Sequence, residues 1–140
     1  MSKIAVVYWS GTGNTEAMAA AVEEGAKDAG AEVTVFTAAE FDASAMDGFD
    51  AIAFGCPSMG AEELEDSEFA PMFEACEAKL SGKKIALFGS YGWGDGEWMR
   101  NWEEECKSLG AVMACDFVIC NESPDDEAVA ACKALGAALV

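Results

Sequence analysis

The stretch Ser10-Gly11-Thr12-Gly13-Asn14-Thr15 has the residue types of an anion cradle. Gly11 and Gly13 permit tight curvature. Ser10, Thr12, Asn14 and Thr15 bring hydroxyl or amide groups on short side chains, and a helix starting here would add its free N–H groups, making a nest for one terminal phosphate. No Lys or Arg lies in or beside the loop. Ligand charge must then be met by neutral donors and the helix dipole, which suits a small phosphomonoester. The pattern is not the dinucleotide motif G-x-G-x-x-G, because Glu16 stands in place of the third glycine. It is not a P-loop either, since the Gly-Lys-Ser/Thr ending is missing. The competing reading is an ordinary glycine-rich turn in which Asn14 or Thr15 caps the helix.

Two later stretches carry the residues of a slot for a flat ring: Cys56-Pro57-Ser58-Met59-Gly60-Ala61-Glu62 and Ser90-Tyr91-Gly92-Trp93-Gly94-Asp95. A Trp bracketed by glycines in a loop has no helix or strand packing to bury it, and its ring stacks well on another π-system. Met59, soft and polarizable, favours aromatic contacts and could form the opposite wall. Trp98 and Trp102, one helical turn apart, read instead as core or rim packing. Glu103-Glu104-Glu105 reads as a solvated helix face, and Asp125-Asp126-Glu127 as a charged helix N-terminus.

Elements must bring these stretches together. Short apolar, β-branched runs at Ile4–Trp9, Val33–Thr37, Ala51–Gly55, Ile85–Gly89 and Val112–Ile119 predict five buried strands. Between them, apolar residues recur near helical period: Met18, Val22, Ala26, Ala29; Phe69, Phe73, Cys76, Leu80; Met99, Trp102, Cys106, Leu109; Ala128, Cys132, Leu135, Leu139. Ala38–Gly48 is weakly patterned and predicts only a short or irregular helix. Alternating strands and helices imply βαβ units, a parallel sheet covered on both faces, and a doubly wound α/β fold in one domain. In such a sheet ligands bind beyond the carboxyl ends of the strands, where all three stretches fall.

Composition narrows the function. The chain has 140 residues, with 26 acidic against 8 basic and a formal charge of −18. That charge favours solubility and disfavours nucleic acid and anionic membrane surfaces, so a macromolecular partner should present a Lys/Arg-rich face. Hydrophobic residues make up 52%, which argues against disorder. Met1-Ser2-Lys3-Ile4-Ala5-Val6 lacks a secretory pattern and no apolar run reaches membrane-spanning length, so a cytoplasmic location is expected. Six cysteines without a C-x-x-C pair, and no histidine, remove most zinc, iron–sulfur and His-based chemistry. The cysteines are expected as buried thiols in a reducing compartment.

Read together, the loops resemble those of the flavodoxin family. Val7-Tyr8-Trp9-Ser10-Gly11-Thr12-Gly13-Asn14-Thr15-Glu16, Met59-Gly60-Ala61-Glu62-Glu63-Leu64-Glu65 and Leu87-Phe88-Gly89-Ser90-Tyr91-Gly92-Trp93-Gly94 match its three FMN loops, and the likeness spans essentially the whole chain. It is similar to the short-chain type, because the fifth strand runs from Val112 toward Asn121 without a long inserted loop. The resemblance implies a three-layer α/β/α sandwich over residues 1–140, with a five-stranded parallel sheet in the order 2-1-3-4-5. FMN where the first and third strands part is the known arrangement of that architecture.

The resemblance further implies a low-potential one-electron carrier, using non-covalent FMN between its semiquinone and hydroquinone forms. It would be a monomer serving reductases and oxidoreductases with basic docking faces, without catalytic or metal-ligating residues of its own. By the same resemblance Ser10, Thr12, Asn14 and Thr15 would bind the phosphate, in a loop shaped by Gly11 and Gly13. Met59 and Trp93 would flank the isoalloxazine. Gly60 and Ala61 would serve its N5, Glu62 its N3 edge and the Gly92 amide its pyrimidine end. Asn121 and Glu122 would lie by the ribityl chain and ring edge, and Ser58, Ser90, Tyr91 and Gly94 complete the set.

Two other readings of such a chain lack the residues they require. A small FMN-dependent NAD(P)H:quinone reductase would need a second substrate pocket, yet the chain is short, shows no obvious NAD(P) motif and has no His. A receiver domain needs an Asp after the third strand, where Gly55-Cys56-Pro57 stands.

Acidic residues Glu62, Glu63, Glu65, Asp66, Glu68, Glu74 and Glu77 precede Lys79. Beside the ring they would disfavour added negative charge, although for most of them a solvated helix start explains their presence equally well. Met59-Gly60-Ala61-Glu62 suits a type II′ turn, with glycine at the first central position. A reduction-linked flip of the Gly60–Ala61 peptide, which presents its carbonyl to the flavin N5–H, is therefore expected. Gly60→Ala should shift the FMN midpoint potentials in an anaerobic titration, and two unchanged potentials would remove the flip from the account.

Overall fold

The structure, a computed structural model, describes residues 2–59 and 63–140. Its strands are β1 (Lys3–Tyr8), β2 (Glu32–Thr37), β3 (Ala51–Gly55), β4 (Lys84–Tyr91), β5 (Val112–Met113) and β6 (Val118–Asn121). Its helices are α1 (Asn14–Asp28), α2 (Phe69–Cys76), α3 (Glu97–Ser108) and α4 (Asp126–Ala138). The sheet runs β2-β1-β3-β4-β5, with β6 also on β4, and every pairing is parallel. The expected order is thus present, with one additional short strand.

Strict alternation along the central strands builds the two cores. Ile4 and Val6 on β1, Ala51 and Ala53 on β3, and Ala86 and Phe88 on β4 pack with Met18 and Val22 of α1 and Cys132 and Leu135 of α4. Their neighbours Ala5, Val7, Ile52, Phe54, Ile85 and Leu87 pack on the other face with Phe69 and Phe73 of α2 and Met99 and Trp102 of α3. The period of two in the strands and 3.6 in the helices therefore puts one apolar layer on each side of the sheet. Trp98 and Trp102 are buried, as their helical spacing predicted. Helices α1 and α4 touch backbone to backbone: a Cβ on Gly136 would lie 2.1 Å from the Val22 carbonyl oxygen.

One weakly patterned element follows the sequence reading, and one strand differs from it. Ala38–Gly48 holds two 3-10 turns, Ala38–Glu40 and Ala43–Gly48. The first is closed by the Thr37 and Glu40 capping box and the second by the Asp42 carboxylate, which accepts from the Ala45 N–H at 3.1 Å. The fifth strand, read as continuous over Val112–Ile119, is broken into β5 and β6. Lys84 faces Val112, twenty-eight positions on, while Phe88 faces Val118, thirty on, so this sheet edge carries two extra residues. Such a bulge is tolerated at an edge, and here it leaves Asp116, in the middle of the apolar run, exposed. All six cysteines are free thiols and five are buried. Among the described residues no helix is long and apolar enough to cross a membrane.

Candidate functional site

Strands β1, β3, β4 and β6 run in one direction and end at one edge of the sheet. The chain leaves β1 through α1, on one face, and leaves β3 through α2, on the other. The crevice between these departures is the switch point of the doubly wound fold. Backbone bonds carry the ladder past the strand ends: Trp9 N–H donates to the Gly55 carbonyl at 3.0 Å, Ser58 N–H to Ser90 at 3.0 Å and Glu122 N–H to Tyr91 at 2.7 Å. Each loop is thereby held against the next.

A cleft of about 490 Å³ opens between these loops. Its walls are Trp9, Gly11, Thr12 and Asn14 from the first loop, Pro57, Ser58 and Met59 from the second, Ser90, Tyr91 and Gly92 from the third, and Glu122 and Ser123 from the fourth. Ser10 and Gly13 line an adjoining recess of about 520 Å³, which Trp9 and Gly11 share. Most of the site residues expected from sequence therefore converge. Thr15 instead lies inside the protein, 1% exposed, with its hydroxyl 3.1 Å from that of Ser90. Trp93, 58% exposed, stands outside the cleft wall, as does Gly94. Asn121 continues β6 opposite Tyr91 and lines a separate hollow with Ser123. Gly60, Ala61 and Glu62, with the expected turn, lie outside the described residues.

The first loop has the geometry of a nest. Gly13 adopts φ 94°, the left-handed region that glycine enters without strain, and it is this residue, not Asn14 or Thr15, that caps α1. As a glycine it offers no side chain of its own to the free amides of the first turn. Ser10 Oγ accepts from the Gly13 N–H at 3.1 Å and the Glu16 N–H at 3.3 Å, bracing the loop from within. The Asn14 and Thr15 amides fall in the first turn, where helix geometry offers no acceptor, so they are placed to receive an anion. Ser58 Oγ is buried with no partner among the described residues. Glu122 holds φ 57°, an uncommon conformation for a non-glycine residue and one that collects at ligand sites. These donors fit a neutral cradle for a phosphate beside an apolar slot, and FMN fits that description.

Four residues of this region escaped the sequence reading or were misread by it. Trp9 was assigned to the end of a buried strand, but β1 stops at Tyr8 and the indole lines both hollows. A Cβ on Gly11 would meet its Cη2 at 3.0 Å, so this glycine makes room for the ring. Pro57 and Ser123 border residues that were named. Glu65 was grouped with acids read either as charge beside the ring or as a solvated helix start, and the structure gives it neither place: it is 5% exposed. Its carboxylate accepts from the Ser67, Glu68 and Phe69 amides, each at 2.8 Å, and from the Ser67 hydroxyl. The Glu65 N–H in turn meets Cys56 Sγ at 3.4 Å. Burial pushes the Glu65 carboxyl upward, but these donors to the charged form outweigh it and hold the pKa at about 2. Burial also raises the Cys56 thiol to about 12, so it stays protonated. The other acids near this loop, Glu63, Asp66, Glu68 and Glu74, are exposed.

Fold and cleft together define a doubly wound α/β ligand-binding protein with its site at the switch point. The flavodoxin family model matches residues 6–135. The flavodoxin of Megasphaera elsdenii is 47% identical over 135 residues, 96% of each chain. That of Clostridium beijerinckii is 45% identical over 121 residues, 86% of this chain and 88% of its own. The solution structure of two-electron reduced Megasphaera elsdenii flavodoxin matches with a TM-score of 0.89 and covers 97% of each chain. The chain belongs to the flavodoxin family. It is accordingly an FMN-binding electron carrier and not an enzyme of the quinone-reductase kind.

The depressed Glu65 pKa carries a stability consequence. Its ordinary value is 4.5 and its folded value about 2, so the stabilisation is complete above about pH 4.5 and is lost as pH falls toward 2. Glu65→Gln should cost about 1–2 kcal/mol at neutral pH, as loss of a helix cap does. It should also flatten the acid limb of the stability curve, read from urea midpoints between pH 2 and 5. Parallel curves for the two proteins would refute the assignment.

Proposed function

We propose that residues 1–140 act as one domain and carry single electrons at low potential, with FMN held non-covalently between the three loops. The observation that carries this reading is the cleft at the switch point, which joins a cation-free phosphate nest to a slot bounded by Met59, Tyr91 and Gly92. FMN, when bound, supplies the electron chemistry, and the protein selects which charge states are favourable. Ser10, Gly11, Thr12, Gly13, Asn14 and Thr15 hold the phosphate through neutral N–H and O–H donors and the dipole of α1. Ser58 Oγ, buried without a partner among the described residues, is free to donate toward the ligand.

Met59 and Trp93 flank the ring. Trp93 stands 58% exposed and Met59 37%, so both have apolar surface left for a ring to cover. Gly60, Ala61 and Glu62 serve the N5 and N3 edges, the Gly92 amide the pyrimidine end, and Tyr91, Gly94, Asn121 and Glu122 the remaining ring and ribityl contacts, with Ser90 on the cleft wall behind them. The exposed carboxylates of Glu63, Asp66 and Glu68 disfavour further negative charge in the site, which lowers the potential.

The same surface acids support docking on redox proteins with basic faces, while the net charge of −18 keeps copies of the chain apart and monomeric. Free, buried thiols support work in the reducing cytoplasm. An anaerobic reductive titration of protein reconstituted with FMN should give one FMN per chain and two separated midpoint potentials. A chain that retains no FMN, or takes both electrons at one potential, would overturn the reading. Electron transfer to a small basic haem protein should slow steeply as salt rises, while transfer to an uncharged oxidant should not. Equal salt dependence for the two would dismiss the basic-face partner.

A further inference from the structure

Thr15, Glu65 and Ser90 are the buried polar residues among those described. Glu65 is accounted for by its cap. Thr15, in the first turn of α1, and Ser90, near the end of β4, lie 75 positions apart in sequence and bond to one another. Their hydroxyl oxygens are 3.1 Å apart, and the Ser90 N–H lies 3.4 Å from Thr15 Oγ1. A threonine hydroxyl has one proton and two acceptor sites. When the Ser90 amide and the Ser90 hydroxyl both donate to Thr15 Oγ1, its acceptor sites are filled and its own proton must point elsewhere.

Thr15 belongs to the helix turn whose free amides face the phosphate nest. With an anion bound there, the Thr15 proton would be drawn outward and the Ser90 hydroxyl would fill the acceptor site behind it. Each bond in such a chain polarises the next. We propose that Ser90, although it leads into the loop bordering the ring, is a positioning residue for the phosphate: it fixes Thr15 as a donor and so favours the phosphorylated flavin over its unphosphorylated counterpart. This rests on the reading that the first loop holds the FMN phosphate.

Riboflavin, which has the ring and ribityl chain without the phosphate, separates the two roles open to Ser90. Dissociation constants of FMN and riboflavin are to be measured with apoprotein of the wild type, Ser90→Ala, Thr15→Val and the double variant. Ser90→Ala should weaken FMN about tenfold, as loss of a hydrogen bond to a charged group does. Riboflavin affinity should stay within about twofold. In the Thr15→Val background Ser90→Ala should change FMN affinity no further. Ser90→Cys, which fills the same space with a weak donor, should repeat the pattern, and Ser90→Thr should restore it. Equal weakening of both flavins, or losses that multiply in the double variant, would overturn the proposal. If Thr15→Val leaves FMN affinity intact, or the wild type binds FMN no tighter than riboflavin, the phosphate reading itself falls, and this inference with it.

Discussion

The site depends on one constraint: a parallel sheet exposes unpaired backbone groups where its strands run out, and those groups must be satisfied. A buried N–H or carbonyl left without a partner costs about 1–3 kcal/mol. Here the demand is met by the loops themselves. Trp9 bonds back to Gly55, Ser58 to Ser90 and Glu122 to Tyr91, and each bond continues the pairing of two neighbouring strands. The order of the strands therefore becomes the order of the loops around the cleft. Its shape is inherited from the sheet, and the apolar layers that hold the sheet between α1, α4 and α2, α3 hold the cleft as well.

Charge is distributed on the same plan. In a chain of net charge −18, a lysine in the first loop would be drawn to nearby carboxylates such as Glu16 or Glu68, which border the adjoining recess. Neutral donors are not neutralised in that way. They bind through geometry, and the −18 remains available at the surface for recognition at a distance. Glu65 shows the exception and its condition: one carboxylate enters the interior, and it does so with four donors around it. The unpartnered acids stay in water.

What could be read from the sequence was whatever depends on burial alone. The apolar runs of β1, β3 and β4 and the helical stripes of α1, α3 and α4 report which face each residue turns inward, and that is enough for the layer order. The loops were legible because their composition is unusual: two glycines among short donors, and a tryptophan between glycines. Trp9 was missed because it continues the strand alternation by one position, and nothing in its type marks where the ladder stops. Glu65 was misread because it sits among acids that are solvated; only the turn that brings the Ser67, Glu68 and Phe69 amides around it sets it apart. The break between β5 and β6 had one visible sign, Asp116 in the middle of an apolar run.

The placement of buried polarity joins these observations. A polar group taken out of water is tolerated only when it is hydrogen-bonded, so a core avoids such groups where it can. This core avoids them almost everywhere: behind the sheet both layers are aliphatic, aromatic or sulfur-bearing. Among the described residues the three buried polar ones all stand at the carboxyl edge, and each bridges separate elements. Glu65 ties the loop after β3 to the start of α2, while Thr15 and Ser90 tie α1 to β4. Apolar contacts could have joined the same elements, but without direction. Hydrogen bonds fix angles as well as distances, and angles are what a ligand held by neutral donors requires. The chain accepts buried polar groups at the one edge where orientation matters and keeps the remainder of its core apolar.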